Sequence, residues 1–170
     1  MTTAFPQSPQ REVATGLYWG VRSSFLNYIA TSGDGLIRAT DDIGTDGQSL
    51  FRFPVASVVE TADGWQLSFD GELSFLAHFG ALDISIGSPR ITLGAVGVLA
   101  VDVRGRTVEI ADVAVAQPVT IEGRLVWPPL RTTLTEAGSV VFGGAYSAGE
   151  DLDALRIVVQ ATGSVEHRAL

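Results

Sequence analysis

From Gly35 onward the chain is divided into short stretches rich in valine, isoleucine, threonine and aromatic residues. Turn pairs at Asp46-Gly47, Asp63-Gly64, Asp70-Gly71, Arg104-Gly105 and Ala137-Gly138 separate them. Turn chemistry this frequent leaves room for strands and little room for helices, because Xaa-Gly pairs supply the positive φ that a tight reversal needs. An antiparallel, mainly β fold follows, either a sandwich or a distorted barrel. Two hairpins can be read directly. Ser57–Thr61 joins Trp65–Asp70 through Ala62-Asp63-Gly64, and Leu99–Val103 joins Val108–Ile110 through Arg104-Gly105-Arg106. Trp65, Leu67 and Phe69, then Leu73, Phe75 and Ala77, alternate with polar or small residues and predict strands with one buried face. Further strands are expected at Ser85–Leu93, Thr120–Val126, Ser139–Phe142 and Arg156–Thr162.

One segment departs from this pattern. In Thr15 to Thr31, Leu17, Val21, Ser24, Phe25 and Tyr28 recur at helical spacing, with Thr15 as N-cap and Gly33-Asp34-Gly35 as the stop. This predicts a single N-terminal helix of about 15 residues with Tyr28 at the end of its inward stripe.

With 170 residues the chain is sized for one domain, its core over about 15–162 and tails at 1–14 and 163–170. A hydrophobic fraction of 46% against 18% charged residues is too apolar for disorder, yet no run of about 18 apolar residues spans a bilayer. The net charge of −8 argues against nucleic acid, which needs clustered lysine and arginine. The start Met1 to Gln10 has neither a basic end nor an apolar stretch. The expectation is therefore a cytoplasmic protein as written, or a cell-surface or secreted one if the chain was trimmed.

Without cysteine there is no thiolate site or cysteine nucleophile, and with two histidines there is no HExxH or HxxxH metal motif. GxSxG is absent, Glu150-Asp151-Leu152-Asp153 lacks a calcium-loop pattern, and Gly143-Gly144 reads as a backbone bend. His167 lies in a charged tail and reads as solvated. His78 closes the apolar strand Leu73 to Ala77 and reads either as a core histidine bonded to a carbonyl or as a functional group. Tyr28, with Ser24 one turn before it, reads either as a core tyrosine with a backbone partner or as a ligand. The residues alone leave both pairs open.

The stretch Gly16-Leu17-Tyr18-Trp19-Gly20-Val21-Arg22-Ser23-Ser24-Phe25-Leu26-Asn27-Tyr28-Ile29, then Phe51-Arg52-Phe53-Pro54, then Gly71 to Asp83 with His78, Gly80 and Leu82, and finally Phe142 to Asp153 with Tyr146 and Gly149, together resemble the HtaA domain. That domain is a haem-binding module of actinobacterial haem uptake, and the likeness runs from about Gly16 to Val159. It implies haem b as ferric protoporphyrin IX, with Tyr28 as the axial ligand, His78 donating to its phenolic oxygen, and Ser24 lining the site. A free phenol ionises near pH 10, so ligation as phenolate needs the iron's charge and a hydrogen-bond donor. A hard anionic oxygen suits Fe(III) and hence a carrier, not a redox enzyme. Phe25, Phe79 and Leu82 are the expected walls of such a pocket, with Arg22, Ser23 and Ser24 at its rim.

The implied partners are haem and its donor or acceptor proteins, and a haem edge left exposed at the helix would favour a homodimer. Family members are usually exported, so haem transport and intracellular haem trafficking are both consistent with this start. The competing reading is a β-sandwich module that binds a protein or glycan without haem, through Trp65, Trp127 and Tyr146. In the haem reading Trp19, Trp65 and Trp127 are packing. Enzymatic turnover of haem is not expected.

Overall fold

The computed structural model describes residues 13–45 and 50–161, so Asp46-Gly47, His167 and the end of the strand expected at Arg156–Thr162 lie outside the described residues. Its elements begin with β1 (Gly16–Trp19), α1 (Ser23–Thr31), β2 (Leu36–Ala39), β3 (Gly44–Thr45), β4 (Phe51–Phe53), β5 (Val55–Glu60), β6 (Trp65–Phe69) and β7 (Glu72–Ala77). A 3₁₀ turn at His78–Gly80 leads to β8 (Leu82–Leu93), β9 (Gly97–Val103) and β10 (Arg106–Val113). The chain continues through β11 (Val119–Ile121), β12 (Arg124–Val126), β13 (Leu130–Leu134), α2 (Glu136–Val141) and β14 (Asp151–Gln160).

All the strand pairs are antiparallel and form one sheet in the order β2-β7-β8-β9-β10-β13-β14-β1-β4-β3. The β5–β6 hairpin hangs on β8 and the β11–β12 hairpin on β14. The sheet curls into a half-barrel, the distorted-barrel form of the expected all-β architecture. Strand β1 lies eighth in that order and β2 first, so α1, which joins them, straps one side of the curl to the other.

Both expected hairpins are present. Glu60 pairs with Trp65 in the first, and Val103 with Arg106 in the second. The second has a two-residue turn, Arg104-Gly105, with φ of 50° and 80°, so Arg106 already belongs to the strand. Two positive φ values mark a turn whose twist matches that of the strands it joins. The alternation in β7 is also borne out, with Leu73, Phe75 and Ala77 at most 1% exposed. They join Trp19, Phe53, Phe69 and Leu67 in a core enclosed by the curl and covered by α1.

Three expectations fail. The helix does not start at Thr15: Gly16–Trp19 is a strand paired on both sides, to β14 and β4, and Val21 at φ 62° breaks the chain before the true N-cap, Arg22. Leu17 and Trp19 face inward with a period of two, and tertiary pairing overrides a coincidental helical spacing. Thr120–Val126 is not one strand but the β11–β12 hairpin, reversed at Glu122-Gly123. Ser139–Phe142 is not a strand and Ala137-Gly138 is not a turn: both lie in or at the end of α2, which Thr135 caps by accepting from the Gly138 amide at 3.0 Å.

Candidate functional site

Helix α1 buries Phe25, Leu26 and Ile29, which turns Ser24 and Tyr28 to the outside. Tyr28 is 46% exposed, not the end of an inward stripe, because the helix begins seven residues later than expected and its phase shifts with it. His78 likewise lies beyond β7, exposed in the 3₁₀ turn, and is not a core histidine. The structure brings the two together. Tyr28 Oη and His78 Nε2 share a short hydrogen bond, their rings 5.6 Å apart and inclined at 56°.

The turn that carries His78 is strained, with φ of 55° at His78 and 56° at Phe79 before Gly80 at 90°. A left-handed backbone at two residues with side chains costs energy and persists only where neighbours fix it. Asp34 fixes it. One carboxylate oxygen accepts from the His78 amide at 3.0 Å and the other from the Phe79 amide, a close bond. The Phe79 amide, ahead of that of His78, holds the Asp34 carboxyl below its ordinary range. Asp34 is in place because α1 ends in a tight reversal at Gly35, where a Cβ would sit 1.8 Å from the Ile29 carbonyl oxygen. Sequence reasoning took Asp34 only as part of a helix stop; an aspartate between two glycines was the available signal for a clamp.

The other end of α1 is held by β14. Asp153 accepts from the Ser23 amide at 3.0 Å and the Ser23 hydroxyl at 2.8 Å, so a residue 130 positions away caps the helix. Arg22 donates from Nε to the Ser24 hydroxyl at 3.0 Å, pairs with Glu150 at 3.3 Å, and lies over the Tyr146 ring at 4.0 Å. The Ser147 amide, followed by Arg22, keeps the Glu150 carboxyl below its usual value.

The family model HtaA, described as Htaa, matches residues 14–158. The chain belongs to the HtaA family. The N-terminal domain of HtaA from Corynebacterium glutamicum is similar to it with a TM-score of 0.74 and 26% identity, over 90% of this chain and 100% of that one. The C-terminal domain of the same protein gives 0.71 and 23%, over 88% and 99%. The haem-binding protein HtaB from the same organism gives 0.67 and 23%, over 86% and 92%, a likeness of fold. No curated protein sequence matches the chain.

In this HtaA-family chain the expected wall and rim residues separate. Ser24 shares the exposed face of α1 with Tyr28, and Arg22 reaches Ser24. Ser23 is committed to Asp153. Phe25 is buried in an aromatic cluster with Phe75 at 5.0 Å and Phe142 at 5.4 Å, beneath the site and not at its surface. Leu82 is half-buried opposite Ala77, while Phe79 is 99% exposed. Trp127, named as a contact residue for a protein or glycan, is 2% exposed and packs edge-on against Trp65. Among the described residues no group of three or more histidine or acidic side chains converges as a metal cage, and no helix is long and apolar enough to cross a membrane.

The clamp makes a test. A carboxyl whose folded pKa lies below its unfolded value stabilises at pH above the unfolded value and loses that contribution as pH falls through the folded one. The His78–Gly80 turn should therefore be tight at neutral pH and loosen below the ordinary value of 3.8. Asp34→Asn at pH 7 should reproduce the loosening: hydrogen exchange at the Phe79 amide speeds several-fold, with global stability nearly unchanged. Unaltered exchange at Phe79 would remove Asp34 from this role.

Proposed function

We propose that the chain binds ferric haem, with Tyr28 as axial ligand and His78 as donor to the ligating oxygen, and that it moves haem without transforming it. The observation that carries this is the pair itself. Tyr28, 46% exposed, stands on a helix, and the hydrogen-bond partner of its phenol oxygen is an imidazole nitrogen held by a clamped, strained turn. An iron that arrives with four porphyrin nitrogens needs one further hard oxygen from the protein, so a lone tyrosine suffices where a bare ion would need a cage. The imidazole N–H can donate to the phenolate form that ligation requires, and a strained turn fixes the ring orientation that this needs.

The surroundings suit a flat apolar ligand. Phe79, 99% exposed, follows His78 directly, and Leu36, 40% exposed, begins the strand into which α1 runs, opposite Leu76. Exposed apolar side chains grouped beside a polar pair mark a binding surface. Phe79 and Leu82 would meet the porphyrin, and Ser24 and Arg22 its polar edge. The family and the likeness to HtaB support haem as the ligand. Ligation through the Tyr28 oxygen would favour Fe(III), which suits uptake and hand-over between proteins.

The test is an absorption titration of the haem-free chain with ferric haem. One equivalent should give a saturable Soret band. His78→Ala should shift that band and weaken binding by roughly 10- to 100-fold, the usual cost of losing a residue that orients a metal ligand. No saturable band in the natural chain, or a His78→Ala titration identical to it, would overturn the reading.

A further inference from the structure

A cavity of about 490 Å³ opens on the face of β1, β12 and β14 that points away from the core, and none of its lining residues belongs to the Tyr28 site. Tyr18 stands between the buried Leu17 and Trp19 and so projects outward, and its cross-strand partner is Arg156. Partners directly opposite one another share a face, so both side chains stand on it, the Tyr18 hydroxyl donating to the Ala14 carbonyl at 2.7 Å. Two residues on, Val158 continues that face of β14, with Val126 opposite it on β12 and Gly16 opposite it on β1. Gly16 has φ of 148°, and a Cβ there would lie 2.6 Å from the Phe53 carbonyl oxygen, so the floor has no side chain at that point. Pro129 and Trp127 complete the lining.

We infer that this cavity is a second ligand site, independent of Tyr28 and His78, for a small organic anion with an apolar body. Two polar groups choose the anion. Arg156 is exposed and, among the described residues, has no carboxylate within ion-pair distance, whereas Arg22, Arg90, Arg104 and Arg131 each have one. In a chain of net charge −8 an arginine with no acid beside it among the described residues can take an external one. Trp127 is 2% exposed, and its indole N–H has no acceptor among the described residues, unlike that of Trp19, which donates to the Asp153 carbonyl at 3.0 Å. Buried donors are nearly always paired, and a carboxylate or sulfonate oxygen reaching past Arg156 would supply the missing acceptor. The volume lies within the roughly 300–1,000 Å³ of small-molecule sites, and Val126, Pro129 and Val158 provide the contact for the ligand's apolar part.

Calorimetric titration of the whole chain with 8-anilinonaphthalene-1-sulfonate, an aromatic body with one sulfonate, tests this. The natural chain should bind one equivalent. Arg156→Gln should bind about tenfold more weakly, the loss of one charge-assisted hydrogen bond, and Trp127→Phe should also weaken binding. Phe79→Ser and Tyr28→Phe should match the natural chain, which separates this site from the exposed aromatic surface at the other. Absence of saturable binding, equal binding in Arg156→Gln and Trp127→Phe, or loss of binding in Phe79→Ser or Tyr28→Phe would each overturn the second site. The haem titration stands or falls separately, because neither Arg156 nor Trp127 takes part in it.

Discussion

Tyr28→Phe is expected to abolish the Soret band of bound ferric haem and to lower affinity by more than about a hundredfold, past the roughly 10- to 100-fold cost of losing an outer partner. The substitution removes one oxygen from a side chain that is 46% exposed, and the ring that remains still covers α1. Surface changes of this kind move stability within about 0.5 kcal/mol, so loss of haem could not be assigned to unfolding. The comparison with His78→Ala decides between two ligands. If tyrosine is axial, Tyr28→Phe is the more damaging of the two and His78→Ala leaves a shifted but visible band. If the order is reversed, the imidazole binds the iron and the tyrosine merely holds it. Absorption spectra and titrations of both variants at one pH, with thermal melts alongside, give the answer.

Trp19→Ala is expected to cost about 3–5 kcal/mol, the usual penalty for emptying a buried tryptophan site. A domain of this size has roughly 5–15 kcal/mol in total, so the loss removes about a third to a half of a mid-range stability and lowers the urea midpoint in proportion. The side chain is fully buried, and its indole N–H donates to the Asp153 carbonyl at 3.0 Å, an oxygen that the Thr132 hydroxyl also reaches at 3.0 Å. The Asp153 carboxylate caps α1 through Ser23. The loss therefore acts twice, by opening a cavity beneath the curl and by loosening the residue that anchors the helix carrying Tyr28. Trp19→Phe keeps most of the volume and loses only the hydrogen bond, so its urea midpoint should fall between those of the natural chain and Trp19→Ala. Coincident midpoints for Trp19→Ala and the natural chain would contradict the packing described.

The parts of the fold legible in the sequence were those fixed by local chemistry. Arg104-Gly105 announces a hairpin because few other residues accept its left-handed angles, Gly64 because a Cβ there would lie 1.8 Å from the Leu93 carbonyl oxygen, and the β7 alternation is set by a sheet with one wet face. The start of α1 was hidden because Leu17, Val21 and Phe25 satisfy a helical period while Leu17 and Trp19 satisfy a strand period, and only pairing to β14 and β4 decides between them. Helix α2 was hidden for a related reason: Ser139-Val140-Val141-Phe142 is a short apolar run that propensity assigns to a strand, although Thr135 and Glu136 ahead of it carry a capping signal. At the site, the resemblance singled out Tyr28 and His78 as partners, and the structure places them in contact. Their exposure was not legible, since it depends on the phase of a helix whose first residue was misplaced. Nor was the capping of α1 by Asp153, which no local pattern encodes.

The strap formed by α1 has a consequence for traffic through the site. Tyr28 travels with a helix moored to β14, while His78 rides on the tip of β7, and along the sheet those strands stand far apart. Yet Phe25 of the same helix packs on Phe75 of β7 at 5.0 Å and Asp34, just past the helix, holds the His78 turn, so the helix end bearing Tyr28 and the turn bearing His78 form one body. On the proposed reading, cargo held by the pair would leave when a partner displaces that body as a unit, while the Asp153 mooring and the core stay in place.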